Sequence, residues 1–183
     1  MYCCASYSSI LGPLTLACNE THLVGLWIDG QKYFGQPLSQ HMSPVLQGQE
    51  EPEPLKAARS WLDQYFSGRN PLPSELPLAP EGSEFRRLIW DILCQIPYGQ
   101  VVTYGQIAQE AAARMGRPSM SGQAVGNAVG HNPISIIIPC HRVVGSNGSL
   151  TGYAGGIEKK IRLLKLEGVD LSRFSVPKTG TAL

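Results

Sequence analysis

Four prolines fall within the thirteen residues from Asn70 to Gly82, at Pro71, Pro73, Pro77 and Pro80. Proline lacks a backbone donor and pins φ, so neither a helix interior nor a central strand runs through such a stretch. The segment is read as the connection between two domains, one before it and one after it. Charge changes sign across it. Up to Gly82 there are four Lys/Arg against eight Asp/Glu, a net of −4, and from Ser83 there are eleven against six, a net of +5. A basic second half is compatible with a polyanionic partner, and equally with chance variation between two solvated surfaces. With 183 residues and 43% hydrophobic content, the chain can bury one sizeable core or two small ones. The boundaries expected are 1–82, 83–171 and a flexible tail at 172–183.

Cys3, Cys4, Cys18, Cys94 and Cys140 make an odd number without paired spacing. That pattern predicts reduced thiols in a cytoplasm, a bacterial one, rather than a disulfide framework. The opening MYCCASYSSI lacks the basic flank and long apolar run of a targeting segment. No stretch approaches the roughly 20 apolar residues of a membrane span. Cys3, Cys4, Cys18, His22 and His41 offer suitable atoms for zinc but not the spacing of a zinc site, so no metal is expected.

Ahead of the connector, the first thirty residues read as short strands, with the apolar runs 14–18 and 23–28 flanking a polar turn at 19–22. Leu55, Ala58, Trp61, Leu62, Tyr65 and Phe66 recur at helical spacing, with a stop near Gly68. Behind it, Ser83 is an N-cap candidate for a helix with Phe85, Leu88, Ile89, Ile92 and Ile96 on one stripe. Thr103 stands at the start of a second helix running towards Met115, and a third fits 121–129. Two short helices joined by a tight turn are a helix-turn-helix pattern. Glycines in the third cost up to about 1 kcal/mol each. Its small residues suit close packing on a neighbouring helix or close approach to DNA. The dense apolar run 134–138 reads as a buried strand leading into Pro139-Cys140-His141-Arg142. A last helix spans 157–167, with Gly168 beyond its end.

A free cysteine at the end of a buried strand is more often structural than catalytic. His141 and Glu167 alter that reading, because a base that draws the thiol proton and an acid that orients the base complete a nucleophilic relay. A thiol with a pKa of about 8.5 is only a few per cent ionised at neutral pH. Roughly 2 kcal/mol of stabilisation brings it near half, at about 1.36 kcal/mol per pKa unit. A hydrogen bond from an imidazolium at His141 has that strength. Adjacent side chains rarely point at each other, so a water between His141 and the sulfur is expected. Arg142 reads either as a structural charge or as an aid to the thiolate.

The run Ile138 to Val144, preceded by Asn132-Pro133, resembles the signature of the O6-alkylguanine-DNA alkyltransferases. So do Thr103-Tyr104, the loop from Tyr153 to Gly156, and the late Glu167. The resemblance covers about Ser83 to Gly168 in order; the first half resembles the family only loosely. It implies an α/β (α+β) architecture, with an N-terminal ribonuclease H-like α/β domain. The C-terminal domain would be mainly helical, with a winged-helix-like helix-turn-helix. The implied function is DNA repair by damage reversal: irreversible, single-turnover transfer of the alkyl group of O6-alkylguanine onto Cys140, with O4-alkylthymine left open as a second substrate.

The resemblance also implies roles. His141 and Glu167 activate Cys140 through water, and Tyr104 gives a proton to the leaving guanine. Asn132 holds the turn between the recognition helix and the active-site strand. Tyr153 walls the pocket, the Ala154 N–H faces O6, and the Cys140 and Val143 carbonyls accept the guanine amino group. Ser135 helps make the pocket roomy. DNA or lesion contacts fall to Thr103, Gln123, Ala124, Gly126 and Arg142, from the minor groove, with the target nucleotide flipped out of the duplex. Gln123 stands where the family has an arginine that fills the vacated stack, and it brings no positive charge. The implied partner is double-stranded DNA carrying O6-alkylguanine, met by a monomer without membrane or cofactor. An alkyltransferase-like lesion binder would lack the cysteine, a papain-type hydrolase would need a distant histidine, and a redox thiol a nearby resolving cysteine.

Overall fold

The polar N-terminus forms the first strand of a sheet that the apolar pattern alone reveals only in part. β1 (Tyr2–Ser9), β2 (Gly12–Cys18) and β3 (Leu23–Ile28) form an antiparallel meander. β4 (Met42–Pro44) joins β1 in parallel, giving the order β3-β2-β1-β4. β3 is buried along its whole length, whereas the half-exposed β1 carries Ser6, Ser8 and Ser9 and has no clean alternation. α1 (Glu53–Phe66) lies on the sheet and buries Leu55, Ala58, Trp61, Leu62 and Tyr65. It begins two residues ahead of the apolar stripe because proline is tolerated in a first turn, where the missing N–H has no partner to lose.

The computed structural model describes residues 2–38, 40–46 and 48–177. Contacts divide the chain into Met1–Glu81 with Pro133–Ile137, and Gly82–Asn132 with Ile138–Leu183. The return of 133–137 to the first unit corrects one expectation. Ile134 to Ile138 is no regular strand: Ile134 makes a single bridge to Leu26, and the chain then turns tightly, with Ile136 at φ 72°. Turn bonds run from the Ile137 N–H to the Ser135 carbonyl and from the Cys140 N–H to the Ile138 carbonyl. An apolar run reports burial, and burial is met here without a ladder.

In the second unit, α2 (Glu84–Cys94) starts where Ser83 Oγ accepts from the Arg86 N–H at 3.3 Å. β5 (Val102–Thr103) leads into α3 (Tyr104–Arg114), capped by reciprocal Thr103 and Gln106 bonds. α4 (Gly122–Gly130) follows, capped by Ser121. β6 (Val143–Val144) pairs in parallel with β5, and α5 (Ile157–Leu166) closes the unit. α2, α3 and α4 pack on one another, and the buried Trp90 donates to the Ala128 carbonyl at 2.9 Å. The tail expected from 172 is ordered further than that. A 3₁₀ turn forms at Leu171–Arg173, and Ser175 bonds to Gly148 and Leu150. Leu171 and Phe174 pack against Val144, Leu150 and Leu164, which fixes this stretch. Residues 178–183 lie outside the described residues.

Candidate active site

Cys140 opens a single 3₁₀ turn, Cys140–Arg142, directly after Pro139, and only 3% of its surface is exposed. Asn132, two residues past the end of α4, reaches this turn with one amide nitrogen. Its Nδ2 donates to the Ile138 carbonyl at 2.8 Å and to Cys140 Sγ at 3.1 Å. Asn132 thus ties the end of α4 to this turn and also touches the sulfur, a contact that was not anticipated. Burial raises the Cys140 thiol, while the Asn132 bond, the charge of Lys160 and backbone N–H groups at Cys140 and His141 pull the other way.

Glu167, the C-cap of α5, is held from three sides. His141 Nε2 lies 2.7 Å from Oε1. Arg142 donates through Nε to Oε2 at 2.9 Å and through Nη2 to Oε1 at 3.0 Å. The Gly99 N–H adds a bond to Oε2 at 3.2 Å. Burial alone would raise this carboxyl, but the hydrogen bonds and charges of His141 and Arg142 bring it down to about 2. Burial pushes His141 the opposite way, below its ordinary value, against the pull of Glu167. We take His141 as neutral and Glu167 as ionised, because Arg142 supplies a permanent counter-charge whatever His141 does. An ionised carboxylate only accepts, so the ring proton sits on Nε2 and Nδ1 is left as the basic nitrogen. This corrects the expectation of an imidazolium beside the sulfur. For Arg142 the structural charge is the reading that fits and the DNA contact is corrected: it turns inward with 6% of its surface exposed, donates to the Ile96 carbonyl at 2.6 Å and lies over the Tyr98 ring.

Tyr104, the first residue of α3, directs its hydroxyl at the Gly152 carbonyl, 3.3 Å away. Burial pushes this phenol up, as does the neighbouring Cys140 charge. The close approach requires a glycine: at Gly152, with φ +81°, an added Cβ would fall 2.3 Å from the Tyr104 hydroxyl. Tyr153 is buried edge-on to the His141 ring, centroids 6.4 Å apart, and its hydroxyl meets no hydrogen-bond partner among the described residues. Ala154 lies in the turn closed by the Gly156 N–H on the Tyr153 carbonyl. The sequence reading missed Lys160. Its side chain is wholly buried, and Nζ donates to the Val143 carbonyl and, at 2.9 Å, to that of Thr151. The signal was present, since Ile157, Lys160 and Leu164 fall on one helical stripe. It also missed Tyr98-Gly99, read only as a helix stop: Tyr98 donates to the Leu166 carbonyl and Gly99 to Glu167.

The other expected contacts separate into two groups. Gln123 is exposed on α4, with Ala124 and Gly126 half-buried beside it. A Cβ added at Gly122, Gly126 or Gly130 would meet nothing within 4 Å. The glycines therefore do not serve packing inside the protein. Thr103 is half-buried as the cap of α3. Val143 is buried in β6, and its carbonyl already accepts from Lys160. Ser135, expected in the pocket, belongs to the first unit, where its hydroxyl donates to Gln31 Oε1 at 3.0 Å. Among the described residues no group of three or more His, Cys, Asp or Glu could hold a metal ion.

Two family models match the chain. One, described as the ribonuclease-like domain of 6-O-methylguanine DNA methyltransferase, covers residues 2–80. The other, the DNA binding domain of the same proteins, covers 84–169. A methylated-DNA–protein-cysteine methyltransferase of Methanosarcina acetivorans is 43% identical over 166 residues, 90% of this chain and 97% of its own. That of Haemophilus influenzae is 43% identical over 163 residues, 89% of this chain and 84% of its own. Among solved structures, Mycobacterium tuberculosis OGT in complex with DNA superposes with a TM-score of 0.75 at 37% identity, covering 94% of each chain.

Proposed function

This chain belongs to the 6-O-methylguanine DNA methyltransferase family, and from that premise we propose that it repairs DNA by taking the alkyl group of O6-alkylguanine onto Cys140. The observation that carries the assignment to this residue is the Asn132 Nδ2 bond to Cys140 Sγ at 3.1 Å, in a turn whose His141 is bonded to Glu167. A structural cysteine needs neither a donor aimed at its sulfur nor an adjacent base oriented by a carboxylate.

The chemistry follows from the protonation states. Neutral His141 takes the thiol proton through water, and Glu167 steadies the cation that forms. The thiolate attacks the alkyl carbon in line as the bond from carbon to O6 breaks. The electron pair passes to guanine, which takes a proton from Tyr104, and solvent returns one to the tyrosinate. A thioether cannot be reversed by these groups, so each molecule acts once. Tyr153 and Ala154 line the pocket, and the carbonyls of Cys140 and Val143 receive the guanine amino group.

The target nucleotide has to leave the stack, at a cost of a few kcal/mol. The open glycine face of α4 supports an approach to the minor groove, with Gln123 entering the gap and Thr103, Ala124 and Gly126 beside the backbone. The protein acts as a monomer in the cytoplasm. Intact-mass spectrometry after incubation with duplex DNA carrying O6-methylguanine tests the reading. One added methyl group, mapped to Cys140 and absent in Cys140→Ala, is expected. An unchanged mass with the lesion still bound in preference to undamaged DNA would make this a lesion-binding protein instead.

A further inference from the structure

A thiolate buried as deeply as Cys140 needs a positive charge close by, because desolvation penalises the charged form heavily. The nearby cations differ in what they are committed to. Arg142 is spent on Glu167 in a two-pronged pair. His141 donates to that same carboxylate, and burial keeps the ring neutral at rest. Lys160 remains. It stands on α5, which packs against the Cys140–Arg142 turn, and its side chain is completely buried. Among the described residues it forms no ion pair with a carboxylate; its recorded partners are the Val143 and Thr151 carbonyls.

We propose that Lys160 is the counter-charge of the Cys140 thiolate, a positioning residue whose buried ammonium, fixed between the Val143 and Thr151 carbonyls, balances the sulfur that attacks. The proposal rests on Cys140 being the alkyl acceptor. A buried ammonium without a carboxylate is costly to keep, and two neutral carbonyls could be bridged by a neutral donor. A charge that matches the nucleophile explains why a cation is there. The proton that leaves sulfur still travels by way of His141, and Lys160 keeps its own. When transfer consumes the thiolate, the sulfur loses its negative charge and Lys160 loses its counterpart.

The titratable groups around this pair are Cys140, His141 and Arg142 on the active-site turn, Tyr104 on α3, Tyr153 on the loop and Glu167 at the end of α5. Burial brings Lys160 down to about 8, with the Cys140 charge opposing the fall. Glu167 is neutralised by Arg142, and the two phenols keep their protons because burial raises both. Between neutral pH and about 8, the charge that varies opposite the sulfur is therefore that of Lys160.

The test uses the full chain, O6-methylguanine duplex, and the variants Lys160→Gln, Lys160→Arg and Lys160→Met. Glutamine keeps a donor for the two carbonyls and removes the charge, arginine keeps the charge, and methionine is a second neutral variant should glutamine not fold. Two profiles are measured against pH: the single-turnover rate of Cys140 methylation, and the ultraviolet absorbance of the thiolate relative to Cys140→Ala. Expected is a neutral variant whose two profiles both move to higher pH. Its rate at pH 7 would fall about tenfold for each unit of displacement and recover as pH rises. Arginine would restore much of the wild-type profile. A neutral variant slowed equally at every pH, with its thiolate absorbance unmoved, would overturn the proposal and leave Lys160 a mere prop for the carbonyls. Absence of methyl on wild-type Cys140 would instead remove the premise, an outcome the mass spectrum reads separately.

Discussion

Arg142 separates what the family pattern implies from what the fold does with the side chain, and Arg142→Met exposes the difference. The guanidinium makes three bonds, two to Glu167 at 2.9 and 3.0 Å and one to the Ile96 carbonyl at 2.6 Å. Its side chain is 7% exposed and that of Glu167 is not exposed at all, so solvent screens the pair very little. Methionine fills most of the volume but strips the buried carboxylate of its permanent counter-charge, leaving it the bonds of His141 and the Gly99 N–H. Removing one partner of a buried pair costs about 3–5 kcal/mol. At roughly 2–4 °C per kcal/mol for a chain of this size, the second unit should melt about 6–20 °C lower.

Scanning calorimetry reads that change, and a binding titration with Cys140→Ala protein and lesion duplex reads the alternative. If Arg142 faced the DNA, the melting temperature would hardly move. Affinity would then fall, with a shallower dependence on salt, because a phosphate contact releases counterions. A loss below about 1 kcal/mol, within the range of ordinary surface substitutions, together with weakened DNA binding would refute the inward pairing. The structure leads to the reverse: a large loss of stability and a salt slope close to that of the parent.

Three further outcomes follow from the site. Asn132→Leu removes the donor to Cys140 Sγ; a hydrogen bond to a charged group contributes about 1.5–3 kcal/mol, so single-turnover methylation should slow roughly 10- to 150-fold, read by quenched-flow mass spectrometry. Gly152→Ala places a Cβ against the Tyr104 hydroxyl in a backbone region that suits glycine; methylation should slow while binding of the lesion duplex to the Cys140→Ala form persists, and an unaffected rate would remove Tyr104 from the chemistry. Acid should destabilise the second unit through Glu167. The folded carboxyl titrates at about 2 against an ordinary 4.5, so its contribution is fully present above pH 4.5 and is lost as pH falls towards 2. Denaturant titrations at several pH values should show Glu167→Gln, already weakened at neutral pH, losing less over that window than the parent.

The helices were legible because their signals are local. Ser83, Thr103 and Ser121 sit where the capping geometry later appears, and the apolar stripes of α1, α2 and α3 face their cores. The first thirty residues read as short strands, but the bounds of β1 were not legible for the opposite reason: its serines face partly outward, and its place is set by partners at Gly12–Cys18 and Met42–Pro44 rather than by its own pattern. The run 134–138 shows the limit of reading burial as a strand, since a positive φ at Ile136 cannot be foreseen from a β-branched residue. At the site, Cys140, His141 and Glu167 stood out as chemistry-bearing types in a family spacing. That spacing gave no direction for side chains, so Arg142 was assigned to DNA and Ser135 to the pocket.

The charges show why direction matters more than identity here. Cys140, His141, Arg142 and Glu167 come together buried in the second unit, and Lys160 joins them. Glu167 and Arg142 cancel, which leaves His141 free to remain neutral and act as a base, since an imidazole that already carries its proton can take no other. With His141 neutral at rest, the same cancellation leaves the sulfur without a standing counter-charge from its own turn. A cation from another element supplies one: Lys160 enters from α5 one helical turn beyond Ile157, on the apolar stripe where a lysine is least expected. A residue that contradicts the pattern of its own helix marks where the fold pays stability for function. The nucleophile is thus a property of two elements, the turn that presents the sulfur and the helix that balances it.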